Sequence, residues 1–123
     1  MFSDREATAL RNQMIKTLEQ TMVVYTRAAV GSGSGTFDVT DNVSRVCRLA
    51  RQQRIGQATL RAEDPATRIL RWHPDYVLPA RCEVLISGVR WRPRPATFYE
   101  EAHGPSQIVV SRECEVTRVT EPS

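Results

Sequence analysis

From Val43 onward the chain is cut into short pieces. Runs rich in β-branched and aromatic residues (SRVCRLARQ, GQATLRAE, TRILRWH, CEVLIS, VRWRP, ATFYEE, QIVVSRE and CEVTRVT) alternate with turn-forming residues. Turn signals return every eight to twelve residues or so, roughly the spacing of short antiparallel strands in sandwiches and barrels. Ser87-Gly88 between two apolar runs predicts a tight hairpin, with glycine where positive φ is needed. HGPSQ (103–107) and EDPAT (63–67) predict two further turns. In WRPRP, Pro93 and Pro95 lack the N–H a central strand must donate, so that segment sits on a sheet edge or leaves the sheet. Alternation sets Ile69 and Arg71 against Leu70 and Trp72.

The N-terminal segment has a different period. Ser3 and Glu6 have capping-box spacing, and Asp4 adds negative charge to the first turn. Ala7, Leu10, Met14, Leu18 and Met22 recur at steps of three and four, which predicts one amphipathic helix over about residues 4–20. TMVVYTRAA (21–29) then favours a strand. The expected fold is mainly β (α+β): a small antiparallel β-sandwich or open barrel with one N-terminal helix and a long loop between early strands. With 123 residues it reads as one domain, made of helix 4–20, a projecting loop over 31–42 and a β-rich body over 43–120.

No run approaches the roughly 20 apolar residues of a membrane span. MFSDREATAL lacks the basic region and apolar core of a signal peptide, so the chain is expected to be soluble and intracellular where it is made. Three widely spaced cysteines, Cys47, Cys82 and Cys114, offer no C-x-x-C metal pair and read as small buried hydrophobes in a reduced chain. The formal net charge is +3, and the basic side is arginine except for Lys16. Arginine forms forked bonds to carboxylate and phosphate, which suits nucleic acid or acidic protein partners.

The segment AAVGSGSGTFDVTDN (28–42) carries half of the chain's six glycines, at Gly31, Gly33 and Gly35. A phosphate loop needs a lysine after its glycines, and here Asp38 and Asp41 follow instead. A dinucleotide fingerprint needs a later third glycine opening a helix. A linker between domains would leave too few residues before it for a core. What remains is a long flexible excursion, Gly31, Ser32, Gly33, Ser34, Gly35, Thr36, Phe37 and Asp38, able to contact another subunit or line a channel.

Catalytic patterns are weak. His73 in WHPD reads as a turn histidine beside Asp75, and no nucleophile-elbow sequence accompanies the serines or cysteines. Glu100 and Glu101 point to opposite faces of a strand, and Glu113 and Glu115 read as a solvated edge. No metal or cofactor signature is present, and no enzymatic activity is expected. Arg45, Arg48 and Arg51 recur at steps of three. Arg90, Arg92 and Arg94 share one strand face with Trp91 opposite. Both sets are candidate contacts for DNA or a protein partner. A small β-barrel that binds single-stranded nucleic acid is therefore one reading, with Trp91 as a stacking platform.

The order of elements supports a second reading. TMVVYTR, a long polar loop, then DYVLPARCEVLISGVRWRPRP and the closing SQIVVSRECEVTRV resemble the small head–tail connector proteins of long-tailed bacteriophages, of the head-closure (stopper) or head-completion kind. RPRPATFYEEAHGP departs from that pattern as an insertion. The resemblance implies a structural virion protein, made in the host cytoplasm and built into a ring of identical subunits at the head–tail interface. The ring would lie between the portal or its adaptor and the tail terminator or tail tube, closing the DNA exit channel and docking the tail. Residues 31–42 would project into the channel or toward the adjacent ring, with non-specific contact to double-stranded DNA. Tail terminator and portal adaptor rings are neighbouring alternatives; adaptors are expected to be mainly helical.

Overall fold

A computed structural model describes residues 2–27, 37–51 and 67–119, with backbone alone for Arg27, Phe37, Asp38 and Arg51. Helix α1 (Asp4–Lys16) is followed by strands β1 (Gln20–Arg27), β2 (Phe37–Thr40), β3 (Arg45–Arg51), β4 (Thr67–Trp72), β5 (Glu83–Ile86), β6 (Val89–Pro93), β7 (Tyr99–His103) and β8 (Ile108–Arg118). All pairings are antiparallel. The order β1-β3-β4-β8-β6-β5 returns to β1 through the β1–β5 ladder, so six strands form a closed barrel and β2 and β7 stand outside it. Of the sandwich and open barrel expected from the sequence, the barrel forms, and it is closed.

Register places the two outer strands. Tyr25 pairs with Thr40 and with Glu83, so β2 lies on the edge of β1 opposite β5, in line with β3. β2 and β3 are one row interrupted at residues 41–44. β6 and β7 repeat the device on β8: Thr117 pairs with Thr67 and Arg92, and Glu113 with Arg71 and Tyr99, so both lie on the edge away from β4. The break in this second row is a 3-10 turn at Pro95–Thr97. Its ends are tied back where the Arg94 amide donates to the Glu115 carbonyl (2.9 Å) and the Glu115 amide to Thr97 Oγ1 (2.8 Å). Pro93 is the last residue of β6, consistent with a segment that leaves the sheet there.

Alternation along each strand fills the barrel. Met22 and Val24, Leu70 and Trp72, Cys114 and Val116 point inward and are buried together with Cys47, Val84, Ile86 and Trp91. Trp72 Nε1 donates to the Tyr76 carbonyl (2.9 Å), fixing the loop that follows β4. Ser87 (φ 50°) and Gly88 (φ 81°) both take positive φ in the β5–β6 turn, as a primed two-residue hairpin requires. QIVVSRE and CEVTRVT, read as two runs, are one strand of 11 residues. The expected strands GQATLRAE and turn EDPAT fall largely outside the described residues.

The helix is shorter than its pattern. Ser3 Oγ accepts from the Glu6 amide (3.1 Å) and Glu6 Oε1 from the Ser3 amide (2.9 Å), forming the expected capping box. Thr17 ends the helix, and Leu18 and Met22 are buried after it, Met22 inside β1. A spacing of four was therefore coincidence for the last two positions, because the β-branched run from Thr21 prevails over helical continuation. Helix α1 packs on β7 and β8. Asp4 accepts from the Ser106 amide (2.9 Å) and hydroxyl (2.6 Å), bonds that hold its carboxyl below the usual aspartate range. Gly104 has φ +86°, and a Cβ there would stand 2.7 Å from Asp4 Oδ1.

Two substitutions grade this architecture by urea denaturation. Leu70→Ala empties the middle of the barrel and is expected to cost about 2–5 kcal/mol. Gly104→Ala is expected to cost roughly 1–3 kcal/mol through strained backbone and the displaced Asp4 bond. Asp4 binds its proton more weakly folded than unfolded, so its contribution is present above its unfolded value near 3.8 and is lost as pH falls.

Candidate functional site

The strongest polar constellation is built on the outer face of β5 and β6. Glu83 is buried, and its two carboxylate oxygens accept separately from Arg90 Nη1 (3.1 Å) and Arg92 Nη2 (2.6 Å). The Arg90 guanidinium also lies over the Tyr25 ring, 4.1 Å from its centre. Arg94, next on the same face, bonds Glu115 (3.1 Å). The expected alternation holds: three arginines share one side and Trp91 points the other way. Trp91, however, is a core residue, buried beside Arg68 with its indole N–H lacking an acceptor, and its ring face is closed to a stacking base. Single-strand recognition through that tryptophan is therefore not what this surface offers.

The β3 arginines diverge. Arg45 bonds Asp41 (2.6 Å) and lies over Tyr76, 3.9 Å from the ring centre, whereas Arg48 is exposed on the opposite side of the strand. For Arg51 only the backbone is described. Steps of three place these arginines on alternating sides because the segment is a strand. Of the loop candidates, Gly31 through Thr36 lie outside the described residues, and Phe37 and Asp38 open β2.

A second feature had no motif to announce it. A cleft of about 290 Å³ opens between the loop after β4 and the start of β7, lined by Trp72, Val77, Leu78, Phe98, Tyr99, Glu100, Arg112 and Glu113. Val77 and Tyr99 are largely exposed at its edge. Arg112 joins its walls, donating through Nη1 to Glu100 (2.9 Å) and through Nε to the Pro74 carbonyl (2.8 Å). The signal in the sequence was Val77, an apolar residue beyond the end of a strand.

The remaining candidates have structural partners. The Asp75 amide donates to His73 Nδ1 (3.1 Å), while the Asp75 carboxylate pairs with Arg11. Glu100 and Glu101 separate as expected, toward Arg112 and His103. Glu113 and Glu115 are not a solvated edge: Glu113 is buried against Arg71 (2.9 Å), and Glu115 is largely covered beside Arg94. All three cysteines are free and buried, and burial pushes Cys47 up to about 11 and Cys82 up to about 12, with Cys114 raised as well. Among the described residues no group of three or more His, Cys, Asp or Glu could hold a metal ion, and no helix is long and apolar enough to cross a membrane. No family model, curated relative or solved structure matches the chain.

Glu83→Ala removes the carboxylate beneath two guanidiniums that water can still reach, and is expected to cost about 1–3 kcal/mol in chemical unfolding. Arg92→Gln, at an exposed position, should cost less than about 1 kcal/mol. The thiols should resist a disulfide reagent at pH 8 until the chain unfolds. Because they ionise later folded than unfolded, their contribution is full below pH 9 and declines as pH rises toward 11 and 12.

Proposed function

We propose that the chain is a structural subunit of a ring at a bacteriophage head–tail interface, of the head-closure (stopper) kind. In this reading it closes the DNA exit channel of the filled head and gives the tail its docking surface. The observation that carries it is the pairing of β1. Val23–Tyr25 pair with β5 inside the barrel, whereas Thr26 and Arg27 pair with β2 alone, so a two-stranded arm leads from the barrel toward GSGSG. A closed barrel is a stiff base for that arm, and the sequence between its two strands is rich in glycine and serine, a composition suited to reach. The order of helix, strand, arm and barrel also agrees with the resemblance to connector proteins. A barrel with one short helix favours the stopper over a portal adaptor. The groups that might have served catalysis are engaged with one another, and the role needs no bond-making centre. Partners are further copies, the portal or adaptor on one side, the tail terminator or tail tube on the other, and non-specific contact with DNA.

Deleting the gene from the phage that carries it should leave heads without tails by electron microscopy, and supplying the chain in trans should restore tailed particles. A version lacking residues 31–35 should keep the thermal midpoint of the barrel and fail to restore them. Normal tailed particles formed without the chain would sink the reading.

A further inference from the structure

The ion pairs are layered, and the layering reverses between two regions of the surface. On the β5–β6 wall the arginine is the outer partner in three pairs among the described residues: Arg92 is 54% exposed over Glu83 at 7%, and Arg90 over Glu83 and Arg94 over Glu115 follow the same order. Arg71 over Glu113, at the cleft wall, has this order too. Around the loop after β4 the carboxylate is outermost. Asp75 is 76% exposed over Arg11 at 23%, and Asp41 over Arg45 and Glu100 over Arg112 repeat the arrangement. These acids form one rim: Arg45 stacks on Tyr76, Arg11 reaches Asp75 beside it, and Arg112 spans from Pro74 to Glu100. The aromatic cleft with exposed Val77 and Tyr99 opens at one end of that rim, where Glu100 and Arg112 line it. A near-neutral set of pairs thus shows guanidinium on one face and carboxylate on another.

We propose that these are the two halves of one contact between copies of this chain: the β6 ridge of Arg92 and Arg94 seats in the cleft of the next copy. A guanidinium packs flat on aromatic rings while its fork donates to carboxylates, and the cleft supplies Phe98 and Tyr99 together with Glu100. Ridge and cleft are unlike surfaces, both on the β6–β7 row against β8, and the proposed contact seats the ridge of one copy in the cleft of the next, the heterologous mode a closed ring requires. Opposite charge selects that orientation against ridge-to-ridge or cleft-to-cleft encounters. A DNA duplex would engage the ridge alone and be repelled by the rim, whereas a second copy uses both. This inference deepens the ring reading and rests on it for a chain that assembles with itself.

The test is sedimentation of the full chain over a range of concentration and salt. Wild type should self-associate, less so as salt rises. Arg92→Gln with Arg94→Gln, and separately Val77→Asp with Tyr99→Ala, should each weaken association roughly tenfold or more. Mixed one to one, the two variants should form heterodimers and nothing larger, since each keeps one intact face; that heterodimer also proves both are folded. The proposal is overturned by a wild-type chain that stays monomeric, by variants that associate as wild type does, or by a mixture no different from its parts. It is equally overturned if the ridge variant assembles normally and loses only binding to duplex DNA. Tailed particles built normally from both variants would remove this contact and leave the ring reading intact, whereas tailing without the chain removes that reading itself.

Discussion

A twisted antiparallel sheet ends in two edges whose N–H and C=O groups invite another chain, unless first and last strands meet. Here they meet through three residue pairs, Val23 with Leu85, Val24 with Val84 and Tyr25 with Glu83. Everything inside depends on that short ladder. It turns a sheet with one apolar face into a vessel in which Met22, Leu70, Val84 and Val116 exclude water from all sides. It also holds Tyr25 and Glu83 against each other on the outside, where Arg90 and Arg92 converge.

Closure does not consume the whole sheet. The rows β2–β3 and β6–β7 each break once and resume beyond the barrel. The breaks are built differently: side-chain bonds from Thr40 and Asp41 hold residues 41–44, and a proline-started turn holds 94–98. One row leads to the glycine-rich segment. The other carries the hairpin on which the helix rests. Barrel, arm and hairpin are thus one sheet extended past its own mouth in two places.

Much of this was legible in the residues. The capping box, the Ser87-Gly88 hairpin and the departure of the chain at Pro93 and Pro95 all rest on local chemistry that needs no distant partner. The C-terminal end of α1 did not, because Leu18 and Met22 satisfy a helical period and a strand's inward alternation equally well. Barrel closure, the shared burial of Glu83 and the cleft at Val77 were invisible for a different reason. Each is made by segments far apart in the chain, and a single sequence reports neighbours only along itself. Trp91 shows the same limit: its position among arginines was readable, while which side of the wall it faced depended on strands not yet paired.

The bond between Asp4 and Ser106 joins residues 102 positions apart. The helix cannot find its seat until the β7–β8 hairpin exists, and β1 cannot close the barrel until β5 has paired through β6 with β8. Little of the vessel can form from neighbours along the chain alone, so its folding is slow, as it is for topologies dominated by distant pairings.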